Sequence, residues 1–492
     1  MIHKIPWRLV LLLVALASLG AIVGGCGTPD RDTSFVATPT ASAPPGASST
    51  PQPVTPITVL PPSSTATTTA SVKSGDESLV AGGTVVATSS TPAAPTPTPT
   101  TGDRPTLAAA LPGTSQGFDL VGHNTLAGIG WHAGLALHDH CAYVGNRRSG
   151  GASIVDIGDP AVPTVIGTIP FGLEGQPVEL RTLPARDLLV AADFGNARLV
   201  TYDVADCANP VQVGALEMPG APHEFYLWTD GERVLIFGAM FDHADADLIV
   251  IDVTDPTVPE EVTRWHMRTP GIGGLLHSLA VSPDGNRAYL ALWSGGVLVA
   301  EIDLPEIRII RDNNGTVHPA PFVAAHSAVP LANAGAPENL LVTSEIWGCP
   351  FAEVAIVSIA NPAYPNIVAR LGLPENRCDN LPAADAIFTP HNPLVVGDLV
   401  FLSWYGGGLQ VLDVSNPQVP VRVAQFVPAG EGAAPVSYIG GYRVQTWSYP
   451  ILRDGLLYVV DIQSGLYVLR YTGPGAEAAA GVTHAEGNAT VR

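Results

Sequence analysis

The chain has little positive charge: 23 lysines and arginines stand against 44 aspartates and glutamates in 492 residues, for a formal net charge of −21. No basic stretch could neutralise a run of phosphates, so no nucleic-acid partner is expected. The acidity fits solubility outside the cell, or attraction of cations to a surface. Common catalytic signatures are also scarce: there is no H-E-x-x-H and no phosphate-cradling glycine loop between strand and helix. That lack points toward binding rather than catalysis. Cysteine is scarce, with Cys26 and four others, and four cysteines allow three pairings.

What is present begins with an export signal over residues 1–25: the short basic stretch "MIHKIPWR", then an apolar run from Leu9 to Gly25. The "VGGC" that ends at Cys26 resembles the lipobox of bacterial lipoproteins. The resemblance implies cleavage before Cys26 and a diacylglycerol on its thiol; an ordinary cleaved signal or a retained anchor are the alternatives. Acyl chains bind at about 0.8 kcal/mol per buried methylene, so two or three would hold the chain on a membrane without spanning it. It would then be exported and lipid-anchored to the outer face of the cytoplasmic membrane or the cell envelope. Residues 26–116 are dominated by Thr, Ser, Pro and Ala, as in "TSSTPAAPTPTPTTGD", and read as a disordered, extended stalk. Residues 473–492 read as a flexible tail.

Between them a unit recurs. "GGLQVLDVSNPQVPVRVAQF" (407–426) is echoed by "GASIVDIGDPAVPTVIGTI", "ADLIVIDVTDPTVPEEVTRW" and "EVAIVSIANPAYPNIVARL". Aligned on Asp156, Asp203, Asp252, Asp303, Ser358, Asp413 and Arg470, seven copies stand near 50 residues apart. Each carries about four short β runs, here A to D in chain order, which predicts an all-β, seven-bladed propeller of four-stranded blades over residues 117–472. The seventh copy lacks strand D, and "GFDLVGHNTL" (117–126) supplies it. An N-terminal strand closing the last blade leaves no open edge, so a monomer is expected. These residues resemble the LVIVD-repeat family through "LIVID", "ASIVD" and "LQVLD" and the recurring Asp-x-x-x-Pro-x-x-Pro turn. Membership implies a propeller on an exported protein and no particular activity.

In a propeller the A strands line the central channel. The repeat alignment places His132, Glu179, His223, His277, His326, His391 and Ser448 at the start of strand A, on one face. Two readings follow. Imidazoles converging on the axis could hold a transition metal or another ligand; alternatively, each histidine could pin its blade to the next by a hydrogen bond, with Ser278 and Ser327 as partners. "VTSEIWGCP" in blade 5 is similar to a segment of selenium-binding proteins and methanethiol oxidases, whose propellers hold copper through histidines. That similarity implies a copper-dependent oxidoreductase as the alternative to a propeller that binds a small molecule or an extracytoplasmic protein.

The B-to-C loops end on the same face. They bring Trp293, Glu345, Trp347, Trp404 and Tyr405 there, with Arg147, Arg148, Asp193 and Asp461 at or near equivalent points; the aromatics could floor a ligand or pack blades. Asp242, His243, Asp245 and Asp247 share one loop without the spacing of an EF-hand. In the blade parse, Cys349 and Cys378 fall on the histidine face of neighbouring segments, and Cys141 and Cys207 on the opposite face one blade apart. Pairing them so is the arrangement that avoids crossing the propeller; four buried thiols are the alternative.

Overall fold

Alternating β-branched and aromatic residues, interrupted by Asp-Pro and Asn-Pro, give seven antiparallel four-stranded sheets in a ring. The computed structural model describes residues 106–241, 246–267, 272, 274–331, 338–433, 436 and 442–489. The signal, Cys26 and most of the stalk lie outside the described residues, as do Asp242, His243 and Asp245. The A strands of blades 1 to 5 are His132–His138, Pro177–Leu183, Glu224–Thr229, Leu276–Val281 and Ala325–Pro330. Those of blades 6 and 7 are Pro393–Val396 and Ile451–Arg453. They are buried almost throughout, whereas the D strands face solvent on one side.

The repeated aspartates explain the turn that follows strand C. Asp156 accepts the Gly158 N–H at 2.8 Å and Asp159 the Ala161 N–H at 3.0 Å. The same two-step turn recurs at Asp203 with Asp206, Asp252 with Asp255, and Asp413 with Asn416. Side chains that satisfy the backbone in this way make the reversal without a sheet partner. The turn also sets blade spacing. A Cβ at Gly122 would lie 2.1 Å from the Pro160 carbonyl, and one at Gly214 2.2 Å from that of Pro256. Each glycine sits at a bulge in the preceding blade's outer strand, so the next turn nests where no side chain could fit.

Phe118–Asn124 pairs with Gly465–Tyr471 as the outer strand of blade 7, from Phe118 opposite Tyr471 to Asn124 opposite Leu466. The ring is therefore closed by the N-terminal strand, as expected. Two segments expected to be loose are structured. Ser115–Gln116 adds to the outer edge of blade 6, and the residues ahead of it are docked: the Ala110 N–H donates to buried Glu375 at 2.9 Å, and Arg422 and Gln425 both donate to the Ala108 carbonyl. Residues 108–116, read from the sequence as the end of the stalk, are thus packed against the propeller. At the other end, a short helix over Ala476–Ala480 leads to the strand His484–Glu486, which pairs with Ile451–Arg453 on the inner edge of blade 7. The chain then crosses to blade 3, where the Leu227 N–H donates to the Asn488 carbonyl at 3.2 Å and Ala489 bridges Leu227. The predicted tail is a segment laid across the channel, because it offers backbone partners to the otherwise unpaired inner edges.

Both disulfides join the expected partners: Cys141 with Cys207 and Cys349 with Cys378, with Cα separations of 5.8 and 5.2 Å. Bridges belong to an oxidising compartment outside the cytosol. Among the described residues, no helix is long and apolar enough to cross a membrane.

Candidate functional site

Four of the aligned histidines meet. The rings of His223 and His277 lie 4.6 Å apart, those of His277 and His326 4.2 Å, and those of His326 and His391 3.8 Å, a continuous arc across blades 3 to 6. All four are at most 8% exposed. Their two ring nitrogens do different jobs. The His391 Nδ1–H donates to the Trp447 carbonyl of blade 7 at 2.7 Å. His326 Nδ1 lies 2.8 Å from Ser327 Oγ, whose hydroxyl donates to Asn392 of blade 6 at 3.3 Å, so the imidazole is the donor here too. For these two, Nδ1 pins blades, and Nε2 is left as a bare lone pair.

The Nε2 atoms face two glutamates. Glu345, at the end of strand B in blade 5, lies 3.7 Å from His391 Nε2, 3.9 Å from His277 Nε2 and 4.0 Å from His326 Nε2. Glu224 lies 3.5 Å from His326 Nε2. These gaps are too long for hydrogen bonds, and His326 Nε2 has no hydrogen-bond partner among the described residues. Two ligands bound tetrahedrally at metal–nitrogen distances near 2.05 Å stand about 3.3 Å apart, only slightly less than these separations. The donors of Glu224, His277 and His326, and those of His326, Glu345 and His391, each fall within 4.8 Å of one another, with His326 common to both sets. The Glu345 carboxylate is oriented from behind by Trp347 Nε1–H at 2.7 Å and by the Tyr405 hydroxyl.

Electrostatics keeps the nitrogens available. Burial, reinforced by the neighbouring rings, holds His277 and His326 well below the ordinary imidazole range, and burial lowers His391 as well. Burial takes His223 down to about 3, helped by Arg147. Neutral imidazole is the metal-binding form. Below the histidines lies a polar layer that the sequence reading missed, formed by the residue after each histidine. Tyr449 donates to Glu224 at 3.1 Å and lies 3.5 Å from Ser278 Oγ. Burial raises Glu224 to about 8, with Glu179 adding to the effect. Arg181, 1% exposed, is paired with Glu179, lies 3.8 Å from Glu486 of the crossing segment and sits over the Tyr449 ring. Reading one position further along the same alignment would have found Glu224, Asn392 and Tyr449.

Two aligned residues do not join the arc. Strand A carries a bulge at this point in blades 1, 2, 4 and 5. His277 and His326 stand within it, but His132 pairs with Asn146 one step before it and Glu179 pairs with Ala192 one step after. Ala133 and Val178 therefore occupy the histidine positions of blades 1 and 2, and a slip of one residue turns a side chain to another face. Glu179 belongs to the lower layer, and His132 is a buried core histidine. Trp293 stacks on His277 at 4.9 Å and is half-buried, like Trp347, whereas Trp404 is fully buried in the core with Leu373 and Phe388 instead of facing a ligand. Asp193, Asp247 and Asp461 have structural partners, in Arg198, in His266 and Met267, and in the 463–464 turn respectively.

A model of the LVIVD repeat matches residues 133–169, 243–266 and 394–426. A search of curated proteins found no match. Among solved structures, a protein from Lactobacillus plantarum is 16% identical over 61% of this chain and 86% of its own, with a TM-score of 0.40. The β-propeller domain of Cps50 (Swd1) from Myceliophteria thermophila is 10% identical over 72% and 98%, with a TM-score of 0.46. Hydrazine synthase from Kuenenia stuttgartiensis is 15% identical over 73% and 98%, with a TM-score of 0.45.

Proposed function

Because the chain is an LVIVD-repeat β-propeller with its imidazoles gathered at one mouth of the channel, we propose that it is an exported, lipid-anchored protein whose histidine-bearing face holds a divalent transition metal. The observation that carries this reading is the division of labour within the rings of His326 and His391: Nδ1 fixes orientation and Nε2 converges on two carboxylates at distances too long for hydrogen bonds, joined there by His277 Nε2. Metal-binding histidines characteristically hydrogen-bond through their second nitrogen to a carbonyl or similar group. Pinning and ligation are thus complementary roles of one side chain. His277, His326 and His391 would supply nitrogens, with Glu345 and Glu224 as the oxygen donors. Such a set suits zinc, iron(II), nickel or copper(II). Cys26 would carry the anchor and the stalk would hold the propeller away from the membrane; neither a nucleic acid nor a second copy is part of the proposal.

A copper-dependent oxidoreductase is the second reading, favoured by the imidazole-rich donor set and by the Tyr405 hydroxyl on Glu345. Metal analysis of protein purified without a histidine tag tests the centre. About one transition metal per chain is expected, lost in the His277→Ala/His391→Ala double variant. A metal-free protein that takes up none of zinc, iron(II), nickel or copper(II) would refute the reading. Electron paramagnetic resonance of the copper-loaded protein distinguishes an ordered copper(II) centre from adventitious binding.

A further inference from the structure

One charged group at the mouth is used neither by the fold nor by the metal centre. Arg181 is held by Glu179 and Arg198 by Asp193, but Arg147 has no carboxylate partner among the described residues. It leaves strand B of blade 1 where Glu345 leaves strand B of blade 5: the Arg147 N–H donates to the Trp131 carbonyl at 3.0 Å, and that of Glu345 to the Ala324 carbonyl at 3.0 Å. Its guanidinium lies over the Trp447 ring, 4.9 Å from the centroid, and its Nε is shut off from solvent with no hydrogen-bond partner among the described residues. Its charge is felt by Glu179, His223, His277 and His391, which belong to blades 2, 3, 4 and 6. A residue that influences four other blades stands close to the axis.

A guanidinium with a buried, unsatisfied donor is costly unless an anion completes it. Apolar surface lies against His223 and His277, two of the rings that the Arg147 charge reaches. Phe194 is 37% exposed and meets His223 edge-on, and half-buried Phe241 touches His223, His277 and Trp293. We propose that the mouth binds a small organic carboxylate, with the anionic end on Arg147 and a flat apolar body against Phe194, Phe241 and Trp293. This rests on the histidine face being a binding face, and the pairing with Arg147 needs no metal.

The test uses the full mature protein, with and without metal, titrated with benzoate and with its neutral analogue benzamide by calorimetry and tryptophan fluorescence. Benzoate should bind at least about tenfold more tightly than benzamide, a difference of about 1.4 kcal/mol. Arg147→Gln should bring that ratio close to one, Arg147→Lys should retain part of it, and Arg148→Gln, altering an exposed residue over Trp131, should leave it unchanged. The proposal is overturned if folded protein binds no benzoate at millimolar concentration, or if Arg147→Gln keeps the preference. Metal content measured on the same samples separates the two readings: metal uptake without benzoate binding sinks only the carboxylate site, and Arg147-dependent benzoate binding by a protein that takes up no metal sinks only the metal centre.

Discussion

Replacing His132 with leucine should stabilise the protein progressively as the solution is acidified. His132 is 1% exposed, and neither ring nitrogen makes a hydrogen bond among the described residues. Burial takes its pKa from 6.5 down to about 4, with the Thr125 backbone pulling slightly the other way. The folded value lies below the unfolded one, so this contribution to stability is complete above about pH 6.5 and is lost as the pH falls toward 4. The full loss is about 3 kcal/mol, of which about 2 kcal/mol has gone by pH 5. Leucine does not titrate, so the stability of the variant minus that of the parent should rise by about 2 kcal/mol between pH 7.5 and pH 5. Any effect of the new packing is the same at both pH values and cancels. Urea unfolding followed by tryptophan fluorescence at the two pH values measures the difference. A difference that does not change with pH would refute the assignment of His132 as a neutral core residue. The metal content of the variant should equal that of the parent, since its ring lies outside the arc.

His326→Ala and Glu345→Gln should each lower metal stoichiometry measured by elemental analysis, whereas Trp404→Phe should leave it intact. Glu179 and Glu224 carry raised folded values, about 7 and about 8; their contribution is complete below about pH 4.5 and is lost as the pH rises through those values. Metal-free protein should therefore lose stability to urea between pH 6.5 and 8.5, and Glu224→Gln should flatten that decline. Serine at both Cys141 and Cys207, which close a separation of 66 residues, should cost about 4 kcal/mol in urea unfolding under oxidising conditions. Cys26→Ala should move the protein from the membrane fraction to the soluble exported fraction, and radiolabelled palmitate should mark the parent but not the variant.

The ring was legible because its turn is chemical rather than merely polar. Paired aspartates such as Asp252 and Asp255 cap successive backbone groups, and the same turn recurs in blades 1, 2, 3 and 6 regardless of what the strands contain. The arc at His223, His277, His326 and His391 was legible for the same reason, being one strand position repeated. His132 and Glu179 were misplaced because a bulge adds a residue without any marker in composition, so the two blades that departed most in sequence were aligned one step off in opposite directions. The crossing segment His484–Glu486 gave no signal, since its alanines and glycines look like a tail. Its order comes from unpaired edges hundreds of residues away. Whether a cysteine-bearing loop reaches its partner, by contrast, depended only on which face each strand end points to, and both pairings followed from that.

The closing strand has a mechanical consequence. The chain ahead of Ser115 leads, after the two-residue pairing on blade 6, straight into the strand that completes blade 7. Tension arriving from upstream is therefore borne first by Ser115 and Gln116, and by the hydrogen bonds that Arg422 and Gln425 make to Ala108, before it reaches the Phe118–Tyr471 seam. Residues 108–116 act as a strain relief. A pull strong enough to peel them would next load the seam that keeps the ring shut, so the propeller would open from blade 7 and expose its channel before any other blade unfolded.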